Sequence, residues 1–423
     1  MSRLKRIALL LGIFAVVFSA HLISPVVNMA DSRWVIHTAM SIVAEGNTDL
    51  NEYEQLLAEQ NYYHIEEISG RRYAAYPIGP SLMVVPFVAA RDVYFRVVHG
   101  YRLQKHISQG IPFKFEKFIA SVLVALTAVL MYLIAGRRLK SVPQRLVIVF
   151  VFAFCTSAWS TASRALWQHG PSMLMLSATL YLILLAEDRP KFVPFAGLPL
   201  AFSYVVRPTN IVPIVVLSLL ILLRHRRYFL RFVICATVVW VPFVVFNFVV
   251  YGKPLSWYYM PGRIGRHAQF LEALAGNLVS PARGLFLFSP VLILCVLGLI
   301  FRSKEKRMGA LDVSLLVILL LHWLVISSFP HWWAGHSFGP RFFCDMIPFF
   351  MWFLIPVVER FRRPVHGRLI ALVSTFVCLT AVSFFVHFRG ANHSSTYWWN
   401  AKPNNIDRHP ERLWDWSDVQ FLR

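Results

Sequence analysis

Long apolar runs broken by short charged stretches dominate the hydrophobic pattern. The first run goes from Ile7 to about Val27, behind Arg3, Lys5 and Arg6. It is longer than a signal-peptide core and no small-x-small cleavage pattern follows, which predicts an uncleaved first span. Ten later runs predict spans near Phe113–Ala135, Arg145–Thr161, Pro171–Ala186, Phe192–Val206, Thr209–Leu223, Phe229–Val250, Leu285–Phe301, Leu311–Phe329, Phe342–Val358 and Arg368–Phe388. Segments in hydrocarbon must satisfy their own backbone hydrogen bonds, so the expected fold class is an all-α polytopic membrane protein with about eleven spans.

Between the first two spans lies a different pattern. Asp31 is the first carboxylate, close behind the apolar run. A carboxylate at the hydrocarbon boundary is costly unless it has a partner or a task. The plainer alternative makes it the N-cap of the next helix. Arg33, His37, Ser41 and Glu45 recur every four residues, with Val35, Ile36, Ala39, Met40, Ile42 and Val43 on the other side. That spacing predicts an interfacial helix with its polar stripe toward water. Residues 77–98 are also apolar, but contain Arg91, Asp92 and Arg96, and Pro77, Gly79 and Pro80 punctuate their start. They are read as a re-entrant or interfacial hairpin.

The basic residues set the sidedness. Arg137, Arg138, Lys140 and Arg145 form one short connection, Arg189 and Lys191 the next, then Arg224, Arg226, Arg227 and Arg231. Arg302, Lys304, Lys306 and Arg307 follow, and finally Arg360, Arg362, Arg363 and Arg368. All fall on the N-terminal side of the predicted membrane, so the positive-inside rule places the N-terminus in the cytoplasm. Residues 1–388 then form the multi-span domain. The exterior loop 28–112 caps it, and 389–423 is an exterior tail rich in tryptophan.

Composition agrees. The chain is 57% hydrophobic and 15% charged, against about 25% charge in soluble proteins. The formal net charge of +21 reads as topology signals and attraction to anionic membrane lipids. No soluble basic domain is present, so nucleic acid is set aside as a partner. The five cysteines all fall in predicted spans and form no CxxC pair, as small apolar core residues do.

Candidate chemistry gathers at the exterior span mouths. Asp31, Arg33 and Glu45 follow the first span, Tyr76 opens the apolar segment of the cap, and Arg164, Gln168 and His169 occupy the second exterior turn. Arg207 lies in the third turn; Trp332, Trp333, His336 and Arg341 lie in the last. Each residue alone has an ordinary reading: a snorkelling arginine, a structural histidine, an interfacial aromatic. Three arginines at successive exterior mouths run against the inside bias, and guanidinium groups at headgroup depth suit a phosphate. His322, His331 and His336 lack tight metal-ligand spacing.

The stretches Asp31-Ser-Arg-Trp, Tyr76-Pro-Ile-Gly-Pro-Ser-Leu, Arg164-Ala-Leu-Trp-Gln-His169 and Gly335-His-Ser-Phe-Gly-Pro-Arg341 together resemble the GT-C superfamily. These are polytopic glycosyltransferases that include protein O-mannosyltransferases and the aminoarabinose transferases of lipid A. The likeness is nearest to bacterial members, and its order and sidedness carry more than any one motif. It implies a polyprenyl-phosphate sugar as donor, a glycan, lipid or protein hydroxyl as acceptor, and a site on the periplasmic face of a bacterial inner membrane. It implies Asp31 as catalytic base, with Arg33, Tyr76, Arg164, His169, Arg207, His336 and Arg341 binding substrate. Asp-Ser-Arg stands where the family carries paired acids, which leaves a divalent metal open and makes Glu45 or Glu52 the candidate second carboxylate. A transporter or flippase of lipid-linked saccharides is the alternative. A polysaccharide polymerase or ligase fits less well, because its long exterior loop comes late in the chain.

Overall fold

Residues 347–358 carry apolar side chains all the way round, the composition of a helix with no exposed face. In the computed structural model that helix is buried along its length and packs against the helices at 113–135, 142–154, 169–186 and 293–304. The structure describes residues 2–28, 30–260, 262, 265, 267–362 and 367–423. Arg363, read above as part of the last basic connection, lies outside the described residues.

In chain order the helices are α1 (Arg3–Ile23), α2 (Val35–Ala44), α3 (Glu54–Glu59), α4 (Gly79–His99), α5 (Leu103–Ile107), α6 (Phe113–Ala135), α7 (Val142–Phe154), α8 (His169–Ala186) and α9 (Gly197–Val206). Then come α10 (Ile211–Arg224), α11 (Arg226–Tyr251), α12 (Phe270–Val279), α13 (Leu285–Phe288), α14 (Ile293–Lys304), α15 (Ala310–Ser327), α16 (Ile347–Glu359), α17 (Gly367–Asn392) and α18 (Ser395–Trp398). One antiparallel hairpin, β1 (Ile65–Ile68) and β2 (Arg71–Ala74), pairs Glu66 with Tyr73. Ser69 and Gly70 both take positive φ at its turn, the backbone a two-residue hairpin needs.

Among the described residues, seven helical segments are long and apolar enough to cross a bilayer: 3–23, 113–135, 169–186, 226–251, 310–327, 341–362 and 367–392. The chain is therefore a multi-pass helical membrane protein. Along α11, Leu230, Ile234, Val238, Val241, Val245 and Val249 are all exposed, a face that lipid accepts and water does not. The other four predicted spans are interrupted. α7 ends at Phe154 and a π-helical turn follows at Ala158–Ala162. Pro190, Pro194, Pro208 and Pro290 each open a 3-10 turn ahead of α9, α10 or α14. Proline lacks the N–H a continuing helix would use, so each passage is assembled from pieces. At Gly298 the backbone of α14 meets α16 so closely that a methyl group would overlap the Phe353 carbonyl.

The two ends of the bundle differ. At one, Arg137 pairs with Asp188 at 2.5 Å, Arg138 with Glu187 at 2.6 Å, Arg307 with Glu359 at 2.9 Å and Arg360 with Glu305 at 2.5 Å. Four of the predicted basic connections are thus neighbours in space. The opposite end holds a cap built from residues 28–112. Here two expectations are corrected. The segment 77–98 is no hairpin: α4 is one helix, and Pro77, Gly79 and Pro80 start it rather than fold it back. Its later half stays at the cap end, where Arg91 lies over Phe115 in the first turn of α6. The polar stripe of α2 faces water only at its Glu45 end. His37 and Ser41 are buried, His37 Nε2 lies 3.1 Å from the Ile107 carbonyl, and Ser41 bonds Glu52. The cap packs α2 between α4 and α5, so its polar groups find partners inside it.

The tail is folded against the same end. The Arg283 guanidinium is buried and donates to the carbonyls of Ala282, Trp333 and Gly335 and to Asn400 Oδ1 and Gln420 Oε1. It stitches the 330–340 turn to the tail. Arg283→Ala leaves those acceptors unpaired, and we expect a loss of about 3 kcal/mol or more. Thermal unfolding in detergent, with limited proteolysis near residue 400, checks this. An unchanged midpoint and a resistant tail would refute it.

Candidate active site

Asp31 lies in the turn between α1 and α2, not at a helix cap; the N-cap of α2 is Trp34. Its carboxylate turns to the bundle instead. Oδ1 accepts the Tyr76 hydroxyl at 3.0 Å and Oδ2 pairs with Arg341. Tyr76 reaches it because β2 ends at Ala74, two residues before it, and α4 begins just beyond. Arg341 reaches it from the 3-10 turn Arg341–Met346 that leads into α16. Burial raises the Asp31 carboxyl, but the Arg341 charge and the hydrogen bonds from Arg341 and Tyr76 outweigh it and hold it below its ordinary value. Burial, and then the Asp31 charge, push the Tyr76 hydroxyl far up, so it stays a donor.

A line of charge runs inward from this pair. Arg341 Nε donates to His169 Nε2 at 3.0 Å, and His169 Nδ1 lies 3.0 Å from Asp345 Oδ1 and 2.5 Å from Arg207 Nη1. The other oxygen of Asp345 pairs with Arg207. His169 is the first residue of α8, Arg207 caps the end of α9, and Asp345 is fully buried. The five side chains form one continuous network, Asp31–Arg341–His169–Asp345–Arg207, drawn from four separate parts of the chain. The Arg341 guanidinium also lies 3.8 Å from the centre of the Trp167 ring.

Several predicted residues are placed elsewhere. Arg164 is buried, and its guanidinium donates to the carbonyls of His21, Ser24 and Val26 and to Ser163 Oγ. It closes the C-terminal end of α1 and has no direction left for a phosphate. Glu45 sits at the far end of α2, about 15 Å of helix away from Val35, exposed and bonded to Gln104 at 3.0 Å. Glu52 bonds Ser41 inside the cap. His336 faces the tail, 3.3 Å from Asn405 Oδ1 and 3.4 Å from Asp407 Oδ2. None of these joins the network. Among the described residues no three His, Cys, Asp or Glu side chains stand together as metal ligands.

Arg33 remains beside the site. Its guanidinium lies 4.9 Å from the centre of the Tyr63 ring, and no ion pair with it is found among the described residues. Its Nε is buried without a partner, and so are Asn28 Oδ1, Thr38 Oγ1 and Trp167 Nε1. Buried unpaired polar atoms are few in proteins, and four on this stretch and its neighbour Trp167 mark where a polar ligand would find partners. Asp31, Trp34, Thr38, Tyr76, Phe246 and Tyr251 line a narrow cleft of about 20 Å³, enough for a single water.

Sequence reasoning missed two carboxylates. Asp345 falls within the apolar span predicted for Phe342–Val358. Glu116, near the start of α6, is fully buried, accepts the Ser32 hydroxyl at 2.7 Å and leaves Oε1 unpaired. Each is an acid in the first turns of an apolar helix, a signal the chain did carry. Compared with known proteins, the chain matches no family model and no curated sequence.

Because Asp31 is held below its ordinary value in the folded protein, it adds stability that is full above about pH 4 and is lost as pH falls through the folded value. Thermal unfolding from pH 7 to pH 3 should show Asp31→Asn less stable than the wild type, with the gap closing only at the acid end. A gap that stays constant to pH 3 would contradict it.

Proposed function

We propose that this protein is a membrane glycosyltransferase that moves a sugar from a polyprenyl-phosphate donor to an acceptor hydroxyl at the cap end of the bundle. The observation that carries the reading is the pairing of Asp31 with Arg341, with Asp31 and the unpaired Thr38 hydroxyl lining one narrow cleft. The resemblance of the four sequence stretches to GT-C enzymes supports it independently. With α7, α9, α10 and α14 counted, the chain passes eleven times through the membrane. The N-terminus and basic end lie in the cytoplasm, and the cap lies outside a bacterial inner membrane.

The chemistry follows from charge. The acceptor oxygen attacks the anomeric carbon, and its proton passes to a carboxylate oxygen of Asp31. The bond from that carbon to the phosphate oxygen breaks, and its electron pair leaves with the polyprenyl phosphate. In the closed site Arg341 occupies Asp31. A donor phosphate draws Arg341 away through charge-assisted hydrogen bonds, and Arg33 supplies a second cation. Losing Arg341 raises the proton affinity of Asp31 at the moment a base is needed. His169, Asp345 and Arg207 orient Arg341 from behind. With room for one water, the cleft requires the cap to loosen before a lipid-linked sugar enters. A transporter of the same lipid draws on the broken passages, since discontinuous helices line many transport sites. The polar groups at the cap end favour transfer.

Release of polyprenyl phosphate from a lipid-linked sugar, with acceptors supplied, tests the reading. Asp31→Asn should slow release by about 10² to 10⁴. Arg33→Ala should raise the donor KM more than it lowers kcat. Tight donor binding with no release by either protein would replace the enzyme with the transporter.

A further inference from the structure

A hollow lies at the opposite end of the bundle from Asp31. It encloses about 670 Å³, in the usual range for a ligand site. Its walls come from the first turn of α1, the end of α6, the 136–141 connection, the start of α7 and the end of α8. Arg6, Arg137, Lys140, Arg145 and Arg189 line it, with Asp188 as the one carboxylate. Arg137 takes Asp188 at 2.5 Å. Arg6, Lys140 and Arg189 have no carboxylate partner among the described residues.

Basic residues at this end serve topology, and helix C-termini favour cations. Neither role builds a hollow or leaves buried donors unpaired. Here Tyr132 and Arg137 both line the hollow; Tyr132 is only 2% exposed, and its hydroxyl and Arg137 Nε are each buried with no hydrogen-bond partner. A hydroxyl and a fork of N–H groups among three free cations suit the oxygens of a phosphate ester. Leu133, Val142, Leu185 and Phe192 complete the wall with apolar surface. A phospholipid headgroup presents both a phosphate and a glycerol backbone at this depth.

We propose that this hollow binds the phosphate headgroup of an anionic membrane lipid at the basic end. The site is separate from the one at Asp31 and does not depend on the transferase reading. A soluble phosphate ester offers the same oxygens, so the test separates the two sources.

The full chain is reconstituted in nanodiscs of phosphatidylcholine with and without phosphatidylglycerol, and retained lipid is counted by native mass spectrometry. Wild type should keep phosphatidylglycerol selectively. Tyr132→Phe changes no charge and should lower that retention about fivefold. A Lys140→Gln, Arg189→Gln double variant should lower it at least tenfold. An Arg224→Gln, Arg227→Gln double variant, which removes two exposed cations from the same end outside the hollow, should leave it unchanged. Equal loss in both double variants, or none in Tyr132→Phe, would overturn the proposal in favour of general charge attraction. In a parallel arm, glycerol phosphate is added to protein in neutral detergent. Thermal stabilisation there, without selective lipid retention, would overturn the lipid and assign the hollow to a soluble ester.

Discussion

The ion pair between Asp31 and Arg341 joins two residues 310 positions apart in the chain. It is where the cap meets the bundle. Asp31 belongs to the turn that begins the cap, and Arg341 to the turn that begins the buried helix α16. Behind Arg341 the line continues through His169 and Asp345 to Arg207, so α8, α9 and α16 are held in register by charge as well as by packing. Buried charge is stable only when it is fully paired, and removing one partner costs more than the pair contributes. That constraint explains why the other side chains crowd this corner. Tyr76 donates to the oxygen Arg341 leaves free, and Trp167 covers the guanidinium face.

Most of the architecture was legible because the bilayer imposes a simple rule on sequence. The runs at α1, α6, α8, α11, α15, α16 and α17 are long, apolar and bounded by charge. The alternating basic connections read as lying on one side, and ion pairs join four of them two by two. The cap was harder. The spacing of His37 and Ser41 announces a polar face, and nothing in the local pattern says that α5 and Glu52 cover it. Pro77, Gly79 and Pro80 announce a break without saying on which side of them the helix lies. Both are tertiary outcomes, decided by contacts that the local spacing does not contain, such as that of His37 with Ile107, 70 positions on.

The site was legible in part. Arg207, His169, Arg341 and Tyr76 were singled out from their place at span mouths, and the structure brings them together. Arg164 looked the same on that criterion, yet its guanidinium is spent on the carbonyls that end α1. The difference lies in which backbone groups the fold leaves open nearby, which no span prediction contains. Asp345 and Glu116 each stand singly at the head of an apolar run, where the sequence pattern does not distinguish a buried acid from a boundary charge. Their burial shows that the helix ends at the cap are closed over by other chain segments rather than by water.

A double-mutant cycle between Asp31 and Arg341 tests the centre of this account most directly. Unfolding free energies are measured for wild type, Asp31→Asn, Arg341→Gln and the double variant. The account predicts a coupling energy of about 1–3 kcal/mol, with the double variant less damaged than the two single losses added. Strictly additive losses would mean that the two residues do not hold one another, and the cap would need another tie to the bundle.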